Sequence, residues 1–192
     1  MSRVSTTNRP RYIVRFLILD RDGVINQESE EFIKSPAEWI PIPGSLEAIA
    51  RANQLGYRVV VISNQSGLAR GYFDIGQLNE IHASMLSEVV RFGGRIEAIF
   101  FCPHGPDDDC ACRKPRPGLL LDLAQRLNID WDTTILIGDR ETDMLAATAV
   151  GARKILVKTG RGKSAINAVK SLPDVTICAD LASAVDQLET IQ

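Results

Sequence analysis

Six short apolar runs, each separated from the next by an amphipathic helical pattern, constrain this chain more than any other feature. The strand-like runs fall at residues 16–19, 58–63, 98–101, 134–137, 154–157 and 176–178. Between them apolar residues recur at helical spacing. Leu46, Ile49, Ala50 and Leu55 form one face, stopped by Gly56. Asp74 and Gln77 open a longer helix as a capping box, with Ile75, Leu78, Ile81, Met85, Leu86 and Val89 on one side. Leu119, Leu120, Leu123, Ala124 and Leu127 mark a third helix, and Leu145, Ala146 and Ala149, before Gly151, a fourth. Leu181, Ala184 and Leu188 mark the last. Strand–helix alternation of this kind implies an α/β fold built on a doubly wound parallel sheet with right-handed crossovers. With 192 residues, no internal repeat and no linker, the chain predicts one domain over residues 15–192 after a loose N-terminal segment, 1–14.

Charge and hydropathy close off several classes. A net charge of −2 gives no electrostatic footprint for nucleic acid or a membrane surface. No apolar run approaches the length of a membrane span. Arg3, Arg9 and Arg11 give the N-terminus a faint transit-peptide character, without an apolar core or cleavage pattern. A cytoplasmic monomer with no nucleic-acid or membrane partner is the expectation.

The ends of the strands carry the chemistry. Phe16-Leu-Ile-Leu runs straight into Asp20-Arg21-Asp22-Gly23. In an open α/β sheet, ligands lie beyond the carboxyl ends of the strands. Residues i and i+2 of extended backbone point to the same side, so both carboxylates can meet in one small volume. Taken alone, the pair fits a decorated strand end as well as a cation site. The second strand, however, ends in Ser63-Asn64-Gln65-Ser66-Gly67, and the fourth in Gly138-Asp139-Arg140. Three carboxylates, a hydroxyl and an amide on one rim suit phosphoryl transfer, which needs a nucleophile, a divalent cation, donors for the phosphoryl oxygens and a proton relay. Asp20 fits the nucleophile, Asp22 the acid/base, and Asp139 completes a Mg²⁺ site. Ser63 and Asn64 can donate to phosphoryl oxygens, Lys114 offers a cation, and Asp143 can orient Lys114 or a metal-bound water. His82, mid-helix, reads as a surface or packing residue, and Cys178 as a buried core residue.

Residues 27–43 and 102–117 are two long irregular insertions, a length that in a compact domain usually signals function. The second holds Cys102-Pro-His104-Gly-Pro-Asp-Asp-Asp-Cys110-Ala-Cys112, with one of only two histidines in the chain. Four soft or borderline ligands at this spacing suit tetrahedral Zn²⁺ in a structural role. Thr159-Gly160-Arg161-Gly162-Lys163-Ser164 ends like a phosphate-binding loop, but its first glycine would fall at Val157. It reads as a basic turn near the site rim.

With these residues assembled, the chain resembles the haloacid dehalogenase (HAD) superfamily, and is similar in particular to the D-glycero-D-manno-heptose 1,7-bisphosphate 7-phosphatases. Asp20-Arg-Asp22-Gly-Val-Ile-Asn26 matches the first superfamily motif, Ser63–Gly67 the second, Lys114 the third and Gly138-Asp139 the fourth. Ser66-Gly67-Leu-Ala-Arg70-Gly71 and the Cys/His loop leading into Arg113-Lys114-Pro115 narrow the likeness. It implies a Rossmann-like HAD domain without a separate cap, and a Mg²⁺-dependent phosphomonoesterase working through an aspartyl-phosphate on Asp20. It implies Mg²⁺ on Asp20, Asp139 and the backbone carbonyl of Asp22, and zinc on Cys102, His104, Cys110 and Cys112. Substrate contacts would come from Glu28, Ser29, Glu30, Glu31, Ser63, Asn64, Gln65, Ser66, Arg113, Lys114 and Arg140, with Arg113 facing the retained phosphate of a sugar bisphosphate. The setting would be nucleotide-heptose synthesis for lipopolysaccharide core or other surface polysaccharide. Histidinol-phosphate phosphatases look much alike but favour Asn-Gln-Asp-Gly where Asn64-Gln65-Ser66-Gly67 stands. A phospho-accepting receiver domain has no use for Asp22 or a zinc loop, and an intact Asp20/Asp22/Asp139 set argues against a binding module with a dead site.

Overall fold

The computed structural model of the chain describes residues 14–189. The loose segment expected at 1–14 lies, apart from residue 14, outside them. Six strands form one parallel sheet: β1 (Arg15–Leu19), β2 (Tyr57–Asn64), β3 (Ile96–Cys102), β4 (Ile135–Gly138), β5 (Arg153–Val157) and β6 (Val175–Cys178). Their order is β3-β2-β1-β4-β5-β6. From β1 in the middle of the sheet the chain winds to one edge, returns and winds to the other. The winding reverses between β1 and β4, where a doubly wound sheet opens its ligand crevice.

Each predicted strand run lies within an observed strand or overlaps it to one residue. They are continuous apolar runs because both faces of the sheet are covered. Leu17, Leu19, Val59, Val61, Ile135 and Ile137 pack on one side, beneath α1 (Ser45–Gln54), α2 (Ile75–Arg91) and α6 (Leu181–Glu189). Phe16, Ile18, Val60, Ile62 and Leu136 pack on the other, beneath α3 (Gly118–Leu127), α4 (Glu141–Val150) and α5 (Gly162–Val169). The Asp74–Gln77 capping box is formed, and Gly56 and Gly151 take the left-handed backbone that ends α1 and α4.

Two helical readings are corrected. α5 is unread in the sequence, since it is only 8 residues long, with Ala165 and Val169 as its only buried side-chain-bearing positions and Ile166 half-buried, too short a stretch to display a helical repeat. In α4 the buried face is Asp143, Met144, Ala146 and Ala147; Leu145 is half-buried and Ala149 exposed. Asp143 turns inward to meet Lys114, and that fixes the rotation of a helix whose other residues are mostly small. Among the described residues no helix is long and apolar enough to cross a membrane.

Candidate active site

The β1–β4 reversal sets two carboxylates side by side. Leu19 pairs with Ile137, and the Asp20 backbone N–H donates to the Ile137 carbonyl at 3.0 Å, carrying the ladder one residue further. Asp139 follows β4 directly. Asp143, on the first turn of α4, joins them, and all three are buried with carboxylate oxygens within 4.8 Å of one another. Lys114 is the buried cation among them: its Nζ lies 3.0 Å from Asp20 Oδ2 and 2.6 Å from Asp143 Oδ1, and donates to the Ile62 carbonyl at 3.2 Å.

One lysine among three buried carboxylates leaves the site short of positive charge, and the acidities show it. Burial, with Asp143 and Asp22 adding to it against Lys114, raises Asp20 to about 7. Burial and the neighbouring Asp20 raise Asp139 to about 8. Asp139 Oδ1 is buried with no hydrogen-bond partner. An orphaned oxygen inside an all-oxygen, carboxylate-rich cluster fits a hard divalent cation such as Mg²⁺. Lys114 itself is driven up, Asp143 and Asp20 outweighing the opposing effect of burial.

Two glycines shape the cradle around Asp139. A Cβ on Gly23 or on Gly160 would overlap Asp139 Oδ2, and both residues have left-handed backbone. The Arg161 N–H donates to Asp139 Oδ2 at 2.7 Å, and Thr159 Oγ1 donates to the Gly23 carbonyl at 2.6 Å. The basic turn 159–164 thus cradles a carboxylate, and runs into α5.

Asp22 has a separate environment. Its oxygens accept from Arg21 Nε and Nη2, both at 3.0 Å, from Asn26 Nδ2 at 2.9 Å and from Gln65 Nε2 at 2.9 Å. Burial alone would raise its pKa, but the Arg21 guanidinium and these hydrogen bonds hold it below the ordinary carboxylate range. Its side chain stays out of the Asp20/Asp139/Asp143 cluster.

A cleft of about 280 Å³ opens over this floor. Ser63, Asn64, Gln65, Ser66, Arg113, Lys114 and Arg140 line it, as do Glu28, Ser29 and Glu30. Glu31 does not line it; its carbonyl accepts from Lys34 Nζ at the surface. Asn64 is committed to the Lys114 backbone, accepting from its N–H and donating to its carbonyl, both at 3.1 Å. Gln65 bridges Asp22 and Ser63 Oγ. At the mouth, Glu28 forms ion pairs with both Arg140 and Arg161. Sequence reasoning passed over Arg21, Asn26, Phe32, Ile33, Thr142 and Arg161. Arg21 and Asn26 stood inside the first motif, and Arg161 in the turn already placed near the rim.

The Cys/His loop closes on itself beside the cleft. Cys112 Sγ lies 3.1 Å from Cys102 Sγ and 3.2 Å from His104 Nδ1; Cys102 Sγ lies 3.6 Å from that nitrogen and 3.7 Å from Cys110 Sγ. None of the four cysteines forms a disulfide. Zn–S bonds of about 2.3 Å set tetrahedral sulfurs about 3.8 Å apart, so the cluster is near the size a zinc tetrahedron needs. Arg113 Nη1 donates to the His104 carbonyl at 3.2 Å and Arg116 Nη1 to that of Cys110 at 2.7 Å, tying the cluster to the segment that carries Lys114.

Comparison with known proteins points one way. The HAD-hydrolase-like family model matches residues 111–184. The D-glycero-beta-D-manno-heptose-1,7-bisphosphate 7-phosphatase of Bordetella bronchiseptica is 50% identical over 176 residues, spanning 91% of this chain and 98% of the relative. That of Pseudomonas aeruginosa is 48% identical over 169 residues, 88% of this chain and 94% of the relative. A crystal structure of the B. bronchiseptica D,D-heptose 1,7-bisphosphate phosphatase, complexed with magnesium and phosphate, superposes with a TM-score of 0.90 at 47% identity, covering 93% of this chain and all (100%) of that one. The Burkholderia thailandensis enzyme gives a TM-score of 0.74 at 39% identity, covering 92% of this chain and 99% of that one. This chain belongs to the HAD-like phosphatases, in the family of the D-glycero-β-D-manno-heptose-1,7-bisphosphate 7-phosphatases.

Proposed function

We propose that the protein removes the 7-phosphate of D-glycero-β-D-manno-heptose 1,7-bisphosphate, leaving heptose 1-phosphate for nucleotide-heptose synthesis in the cytoplasm, as a monomer whose domain spans residues 15–192. One observation carries the reading: two carboxylates two residues apart occupy opposite environments. Asp20 sits against Lys114 with its pKa raised, whereas Asp22 is enclosed by Arg21, Asn26 and Gln65 with its pKa lowered. Both states must shift in the working site: a divalent cation on Asp20 and Asp139 would ionise the nucleophile, and the substrate's phosphate dianion arriving beside Asp22 would raise it towards the protonated form that a general acid needs.

In the proposed reaction an Asp20 carboxylate oxygen attacks phosphorus. The bond from phosphorus to the C7 oxygen breaks with its electron pair on that oxygen, which takes a proton from Asp22. Water then attacks the aspartyl-phosphate at phosphorus and gives its proton back to Asp22. The bond to Asp20 breaks, restoring the carboxylate and releasing inorganic phosphate. Mg²⁺, held by Asp20, Asp139 and the Asp22 carbonyl, would supply charge neutralisation at the phosphoryl oxygens. Lys114 and Ser63, both lining the cleft, would donate to the same oxygens, and Asp143 keeps Lys114 in place. Zinc on Cys102, His104, Cys110 and Cys112 would be structural, fixing the loop that presents Arg113 to the retained phosphate.

Phosphate release from the α and β heptose 1,7-bisphosphates, with histidinol phosphate alongside, tests the assignment. The β bisphosphate should give the highest kcat/KM, with the 1-phosphate intact in the product. Preference for histidinol phosphate would overturn it.

A further inference from the structure

Arg21 and His82 are buried, polar and unused by the reaction as written. Arg21 is 1% exposed and His82 7%. The Arg21 guanidinium spans three groups: Nε and Nη2 hold the two oxygens of Asp22, Nη2 also reaches Gln65 Oε1 at 3.3 Å, and Nη1 meets His82 Nε2 at 3.4 Å. His82 projects from α2 among Leu78, Ile81 and Met85, with the Phe101 ring of β3 5.9 Å away.

This contact is not a by-product of sequence adjacency. Neighbouring residues of extended backbone point to opposite sides, so Arg21 can fork onto Asp22 only because the chain turns there. Nor does packing alone explain the histidine. An aliphatic residue would fill that face of α2 without burying ring nitrogens, and an enclosed guanidinium is costly unless its N–H groups are matched. Burial, then the Arg21 charge, lowers His82 to about 4, so near neutral pH the ring offers a lone pair at Nε2. A bidentate fork fixes the plane of the carboxylate it holds.

We propose that Arg21 and His82 form a buried brace, anchored on α2, that aims Asp22 at the leaving oxygen, which makes both positioning residues for leaving-group protonation. The inference rests on the acid/base reading of Asp22 but not on the identity of the sugar. As the phosphorus–oxygen bond breaks, the proton passes from the Asp22 carboxyl to the leaving oxygen. An alkoxide needs that proton, whereas a p-nitrophenolate leaves without it. Misaiming Asp22 should therefore penalise alkyl esters selectively.

The test compares kcat/KM for glycerol phosphate and p-nitrophenyl phosphate, in the metal-loaded protein and its His82→Leu, His82→Gln and Arg21→Lys variants. General acid catalysis contributes about 10²–10⁴-fold. Partial loss of aim should lower the alkyl ester about 10–100-fold in His82→Leu and Arg21→Lys, and change the aryl ester by under about 3-fold. Gln can accept from the guanidinium, so His82→Gln should recover most of the alkyl activity. Equal losses for both esters in variants with an unchanged melting temperature, or no loss for either, would overturn the brace. Wild-type protein that ignores heptose bisphosphate yet shows this ester pattern would overturn the substrate assignment and support the brace.

Discussion

At the residue scale, environment assigns roles that residue type leaves open. Asp20, Asp22, Asp139 and Asp143 are chemically alike, yet Asp20 and Asp143 share a lysine, Asp22 is wrapped by donors and Asp139 has an oxygen without a hydrogen-bond partner. Asp20→Asn keeps shape and removes the nucleophile, so turnover should fall by at least about four orders of magnitude while the melting temperature holds or rises. A rise would come from relieved repulsion, since the change takes a charge from a crowded carboxylate cluster. His82 carries a prediction of its own. In the unfolded chain the ring binds a proton near pH 6.5, but in the fold not until about 4. The unfolded state therefore holds the extra proton in that window, and stability is lost as pH falls from 6.5 towards 4, by up to about 3 kcal/mol. Urea unfolding across the window should show a shallower pH dependence in His82→Gln than in wild type. Matching slopes would contradict the buried, neutral ring.

At the scale of elements, strand ends do the positioning and two loops shape the mouth. β1 and β4 deliver Asp20 and Asp139 in register, β2 delivers Ser63 and Asn64, and the segment after β3 returns Lys114 to the same floor. The Cys/His loop stands between β3 and Lys114, with Arg113 and Arg116 tied to its carbonyls. Cys110→Ala should lose the zinc proposed for this loop, measured by metal analysis. KM for the bisphosphate should then rise about tenfold or more, because a charge-assisted contact to phosphate is worth about 1.5–3 kcal/mol. Purified wild-type protein without zinc would contradict the loop's assignment. Gly160→Ala should displace Asp139 by steric overlap, weakening Mg²⁺ dependence; an unchanged metal titration would contradict the cradle.

At the scale of the whole molecule, much was legible from the sequence because the sheet is covered on both faces. Continuous apolar runs mark such strands, and each pattern switch marks a crossover, so the alternation gives the topology class directly. Asp20, Ser63 and Asp139 could be placed on one rim because each follows such a run. What stayed illegible depends on side-chain direction or on contacts between distant loops. α5 is too short to show a repeat, and the rotation of α4 follows from the Asp143–Lys114 pair, across 29 residues of chain that no periodicity registers. His82 looked like packing because its partner, Arg21, lies 61 residues away. Asn64 looked like a phosphoryl donor until its two bonds to the Lys114 backbone appeared. Sedimentation should give a single species near the 21.1 kDa of the chain if the molecule works alone.

If Asp20 takes the phosphoryl group in the site built where the sheet reverses, an acyl-phosphate must form on that side chain during turnover. Rapid mixing of the Mg²⁺-loaded protein with heptose 1,7-bisphosphate, quenching, and borohydride reduction would turn an aspartyl-phosphate into homoserine, locatable by peptide mass spectrometry. Homoserine is expected at position 20 and at no other aspartate, and is expected to be absent from the Asp20→Asn variant. Active protein with no reducible acyl-phosphate at that position would contradict it.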